Sequence, residues 1–192
     1  MLMADTERRQ AALTTTPAAQ TGRTAHAAFD EIYAAYKTPL YNYILRLVGD
    51  REQADDLLQE TFVKVYRALA TAPDGPGRTP WLYRIATNTC YDLLRRRRLV
   101  SWLPWGDHDA YEPSTRESGL VERYALGEGV QDALRAVPPA LRAPLLLHAA
   151  RGLDYDDIAR ALGISRAAVK MRISRGRALF RAAYRREEEH EL

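Results

Sequence analysis

Residues 154–186 constrain this chain most, because an apolar pattern suited to two helices crossing at a tight corner runs directly into a basic helix. Ile158, Leu162, Ile164, Val169 and Ile173 fall at spacings that place them between the two helices. Gly163 stands at the corner, where a positive φ is cheap only for glycine. Ala159 is small enough to let the second helix approach the first, and Ser165 is a natural N-cap for it. Along that second helix Val169, Ile173, Gly176 and Phe180 share one face, while Arg166, Lys170, Ser174, Arg177 and Arg181 share another. Residues 164–186 include eight basic side chains and no acidic one. One face packs and the other suits phosphates and base edges. A helix of this kind lies in the DNA major groove, where Arg or Lys contacts guanine and the remaining cations sit on phosphates. Ser165, Arg166, Lys170, Arg172, Ser174, Arg175 and Arg177 are the DNA-binding candidates. The plainer alternative is a solvated basic helix without a ligand, but the corner, the cap and the two-faced period coincide. Which arginine reads a base stays open.

The rest of the chain reads as helices and turns, with no strand pattern or internal repeat. Residues 1–24 are rich in Ala, Thr and Gln and are expected to form a disordered tail. Phe29, Ile32, Tyr33, Tyr36, Leu40, Tyr43, Ile44 and Leu47 then follow a helical period that Gly49 ends, with Pro39 expected to bend it. Asp50 caps a second helix, with Gln53 three residues on as in a capping box. Its apolar face is Ala54, Leu57, Leu58, Phe62, Val65, Tyr66 and Leu69. Residues 72–78 are dense in turn formers, and the reading has Thr79 cap and Pro80 open a third helix that runs to the arginines at 95–98. Residues 101–126 have no period and carry an excess of acids, which marks a flexible linker. Val130, Leu134 and Val137 begin a second helical unit, interrupted at Pro138 and Pro139, that continues into the helix-turn-helix. The expected fold is therefore all-α. Two small helical domains, 25–100 and 127–186, are joined by an acidic linker, and an acidic tail at 187–192 follows.

Composition argues against several functions. A single cysteine, Cys90, rules out a disulfide frame and a Cys-based metal site, and the four histidines lack ligand spacing. No Ser/His/Asp or paired-carboxylate arrangement stands out, so neither catalysis nor a cofactor is expected. A buried lone cysteine in a helix is read as packing. No run approaches the ~20 apolar residues of a membrane span, and the N-terminus has no apolar core for a signal peptide. A reduced, cytoplasmic protein is expected.

Three stretches in order, residues 54–66, residues 81–88 leading to Asp92, and residues 153–177, resemble the extracytoplasmic-function (ECF) group of bacterial sigma factors. The resemblance covers roughly residues 29–181. It implies a non-enzymatic subunit that carries RNA polymerase to promoters. In the first stretch Asp56, Gln59 and Glu60 match the positions that bind the polymerase clamp helices, and their spacing puts them on one helix face. A solvated face whose acids offset Lys64 and Arg67 would look the same. In the second, Trp81, Arg84, Asn88, Asp92 and Arg95 match the element that reads the minus-10 strand. An aromatic platform beside hydrogen-bonding side chains and cations suits single-stranded DNA, although Trp81 could equally be a core residue. The helix-turn-helix would bind the minus-35 duplex and its domain the polymerase flap. By the same resemblance the linker threads the polymerase cleft, and an anti-sigma factor is a further implied partner. A housekeeping sigma factor carries paired tryptophans where this chain has Trp81 and Leu82, and a third domain that is absent here.

Two other readings compete. A stand-alone regulator would bind its operator tightly without polymerase. A recombinase would need a nucleophilic Ser or Tyr on a mixed α/β domain, for which no strand pattern exists.

Overall fold

The computed structural model describes the backbone of residues 17–100 and 128–190 and the side chains of residues 26–97 and 129–186. Residues 1–16, the acidic linker and the side chains of the acidic tail at 187–192 lie outside the described residues. Seven α-helices form among the described residues: α1 (Pro17–Val48), α2 (Arg51–Arg67), α3 (Arg78–Val100), α4 (Glu128–Arg135), α5 (Pro139–Ala149), α6 (Tyr155–Leu162) and α7 (Arg166–His190). Single 3-10 turns, Leu69–Thr71 and Gly75–Gly77, connect α2 to α3.

Two boundaries and one cap differ from expectation. The first helix begins at Pro17, inside the stretch expected as a tail. Proline is at home in a first helical turn, and the Ala-rich residues after it are good helix formers even without large apolar side chains. The third helix begins at Arg78, so Thr79 is not its cap; the Thr79 hydroxyl instead pairs with Tyr36 Oη of α1 at 2.7 Å. Before α2, Asp50 accepts the backbone N–H of Gln53 at 2.9 Å, as an N-cap should. The capping box is only half made, because Gln53 Oε1 is buried without a partner.

The first domain is a three-helix unit. Leu40, Ile44 and Leu47 of α1 face Leu57, Leu58, Phe62 and Val65 of α2 and Leu82, Ala86 and Cys90 of α3, and all are buried. Each large aliphatic side chain taken out of water contributes about 1.5–3 kcal/mol. Tyr66, expected on this apolar face, is 44% exposed. It lies at the rim of an aromatic group in which the Phe29 ring meets Phe62 and Tyr66 edge-on.

In the second domain α7 is the spine on which α4, α5 and α6 pack. The approach of α5 is close because residue 176 is glycine. A Cβ there would stand 3.0 Å from the Leu141 carbonyl oxygen. Gly163 ends α6 with φ of +64°, the left-handed cap expected at the corner.

The two domains touch. α1 packs on α4 and α5, α3 packs on α6, and the buried residues form one continuous cluster across both. Arg142 of α5 joins them. Its guanidinium donates to Val137 O, to Arg135 O at 2.9 Å and, across the junction, to Leu47 O at 2.8 Å. Arg135 adds a second cross-junction bond, to Gly49 O at 2.9 Å. The C-terminal ends of α1 and α4 thus converge on one cation, the charge a helix C-terminus favours. Burial, and then the neighbouring Arg135 charge, lower the Arg142 pKa to about 10, so it stays protonated at neutral pH.

Candidate nucleic-acid interface

The helix-turn-helix is built from two caps and one apolar seam. Asp154 accepts the Asp157 N–H at 2.7 Å to open α6, and Ser165 Oγ accepts the Ala168 N–H at 3.2 Å to open α7. Val169 and Ile173 are fully buried, Gly176 is buried and Phe180 half-buried, while Arg166, Lys170, Ser174, Arg177 and Arg181 are all exposed. The two faces read from the period are therefore the packed and the free faces of the helix. Arg166 reaches back to Asp156 at 3.5 Å, an exposed pair that water weakens.

Two of the candidate residues stand apart. Arg172 is half-buried on the side of α7 near α3, where its charge offsets part of the rise that burial gives the Tyr91 hydroxyl, whose pKa stands at about 12. It is thus not brought together with Arg166, Lys170 and Ser174, because a residue two positions along a helix points to nearly the opposite side. Arg175 is exposed but, two positions from Arg177, also points away from that face.

On α3, Arg84, Asn88 and Arg95 are exposed, and Asp92 and Trp81 are half-buried. Trp81 packs against the core with one side and leaves the other open, so both roles weighed for it coexist. Asp92 accepts from Arg95 at 2.9 Å, which orders the end of this row. The opposite side of α3 holds Leu82, Tyr83, Thr87 and Cys90, all buried. Tyr43 Oη and Thr87 Oγ1 pair there at 2.7 Å and tie α1 to α3. Burial pushes the Cys90 thiol up to about 12, which leaves it an unreactive packing group.

On α2, Asp56, Gln59 and Glu60 are all exposed. Glu60 pairs with Lys64 at 2.8 Å, and Lys64 also donates to Thr89 Oγ1 at 3.1 Å. The period had not singled out Val63, which is 48% exposed on the same face, one turn beyond Gln59 and Glu60.

Two family models match the chain, one for each domain. The sigma-70 region 2 family matches residues 32–100, and the sigma-70 region 4 family matches residues 128–180. These spans contain α2 and α3 in one case and the helix-turn-helix in the other. ECF RNA polymerase sigma factor SigE of Mycolicibacterium smegmatis is 35% identical over 80% of this chain and 60% of its own length. RNA polymerase sigma-H factor of Pseudomonas aeruginosa is 32% identical over 78% of this chain and 82% of its own.

The chain belongs to the ECF group of sigma factors.

Its fold is shared with the sigma factor RpoE of Bartonella quintana, solved in complex with the anti-sigma factor NepR. The TM-score is 0.63 at 23% identity, over 82% of this chain and 97% of that one. CnrH, solved with the cytosolic domain of CnrY, gives a TM-score of 0.58 at 26% identity, over 82% and 87%. A sigma factor is a transcription-initiation factor and not an enzyme. Among the described residues no helix is long and apolar enough to cross a membrane.

Proposed function

We propose that this sigma factor lays the Asp56, Gln59, Glu60 and Val63 face of α2 on the clamp helices of core RNA polymerase. The Trp81, Arg84, Asn88, Asp92 and Arg95 row of α3 takes the minus-10 strand. The α7 face of Ser165, Arg166, Lys170, Ser174 and Arg177 takes the minus-35 duplex, with exposed Arg175 on a neighbouring side of the helix. Arg172 contributes from beside that face once the domains part. One observation carries the reading: three helices each leave a polar or charged row exposed while the reverse side of the same helix builds the core.

Magnitudes support an adaptor role. Opening DNA costs about 1.4 kcal/mol per base-pair step, whereas stacking on one aromatic side chain returns about 1–3 kcal/mol. Trp81 can hold an opened base but not a bubble, and polymerase supplies the rest. The protein works in the cytoplasm, where its polymerase is. An anti-sigma partner fits the company in which RpoE was solved.

Run-off transcription with core polymerase and genomic fragments tests this. Discrete new starts that disappear with Asp56→Ala and Gln59→Ala are expected. Tight duplex binding by the protein alone, with no binding to core polymerase, would assign it instead as a stand-alone regulator.

A further inference from the structure

Where the two domains meet, a cleft of about 110 Å³ is lined by Asn42, Tyr43 and Arg46 of α1 and by Leu146, Ala150 and Arg151 at the end of α5. Arg46 is half-buried and Arg151 is exposed. Neither pairs with a carboxylate among the described residues. The Arg151 guanidinium instead stands over the ring of Tyr83, 5.7 Å from its centroid. Tyr83 is fully buried and its hydroxyl has no hydrogen-bond partner. Two more arginines, Arg135 and Arg142, cross the same junction.

Two like charges lining one cleft repel, and low-dielectric walls strengthen the effect. A compact oxyanion turns that repulsion into a bridge. Each guanidinium offers forked N–H donors that match phosphate oxygens, and Asn42 adds an amide donor. The volume far exceeds the ~10–15 Å³ that one water requires, which leaves room for a tetrahedral anion.

We propose that this cleft binds a phosphate-class oxyanion between Arg46 and Arg151, one arginine from each domain, and that the bound anion resists separation of the domains. Occupancy of the cleft is independent of the sigma-factor role; its consequence for initiation rests on that role. A sigma factor that must place α3 and α7 on separate promoter elements would then open less readily when the anion is abundant.

The test is denaturation of the full chain with inorganic phosphate titrated at constant ionic strength, chloride making up the balance. Phosphate should stabilise saturably, raising the folded-to-unfolded ratio about elevenfold at ten times its Kd. Arg46→Gln and Arg151→Gln should each abolish the effect, while Arg67→Gln on α2 should leave it intact. Arg151→Gln also removes the contact with the Tyr83 ring, so each variant is compared with itself in the absence of phosphate; if Arg46→Gln fails to fold, Arg151→Gln alone decides. No stabilisation beyond that of chloride, or stabilisation that survives Arg151→Gln, would overturn the proposal. Phosphorus NMR of the bound phosphate separates the sources. Displacement by a short oligonucleotide assigns the occupant as backbone phosphate, and persistence assigns free phosphate.

Discussion

Tyr43 and Tyr83 form an edge-on pair with centroids 5.2 Å apart, yet their hydroxyls fare differently. That of Tyr43 meets Thr87, and that of Tyr83 meets nothing. Arg151 sits over the Tyr83 ring and offsets part of the burial that lifts Tyr83 to about 12. An unmade buried bond costs about 1–3 kcal/mol, and a made one contributes about 0.5–1.5. In urea titrations Tyr83→Phe should therefore be neutral or stabilising, while Tyr43→Phe should cost about 1 kcal/mol. Cys90 gives a pH signature. Its thiol has an ordinary value of 9.0 and a folded value of about 12, so the folded state keeps a proton that the unfolded chain releases. That contribution is complete below pH 9 and declines as pH rises toward 12, by about 1.4 kcal/mol per unit. Cys90→Ala should flatten the fall in stability between pH 9 and 10; an unchanged slope would show that the thiol titrates normally. The burial of Cys90 was legible from its place on an amphipathic helix. The unpartnered Tyr83 hydroxyl and the buried Arg142 were not, because a polar residue within an apolar run reads as exposed until its neighbours are known.

At the scale of elements, α6 and α7 were the most legible part of the chain. Cap, corner and period all act over fewer than ten residues there, and the structure shows Ser165 capping, Gly163 left-handed and Val169 and Ile173 buried. Ser165→Ala should cost about 1 kcal/mol of stability, read by thermal melting, because one N–H of the first turn loses its acceptor. Gly176 was legible only as a small residue on the packed face. Its place 3.0 Å from the Leu141 carbonyl comes from a helix 35 positions earlier in the chain. Gly176→Leu should destabilise by about 1–3 kcal/mol through overpacking, despite the better helix propensity of leucine. The same locality explains a failure. Thr79 looked like a cap beside Pro80, but its hydroxyl is taken by Tyr36, 43 residues away.

For the molecule as a whole, two helical domains and their order along the chain were legible, and their packing against each other was not. Contacts such as Tyr91 Oη to Pro139 O at 3.3 Å and Arg142 to Leu47 O link residues 48 and 95 apart, and no local period encodes them. Because the buried cluster is continuous, the domains should unfold in one cooperative step. Arg142→Met should lower stability by about 3 kcal/mol, since it removes charge-assisted bonds to carbonyls that stay buried, and should split the urea transition in two. A single, unshifted transition would show that Arg142 does not couple the domains. The feature also has a meaning in time. The carbonyls of Leu47 and Gly49 close the first helix of the chain, yet their donors, Arg142 and Arg135, are encoded 95 and 86 positions later. At about 5–20 residues per second, a ribosome takes several seconds to deliver them. During that interval the nascent first domain stands with its helix end hydrated and its junction surface bare, open to whatever reaches it before its own second half emerges.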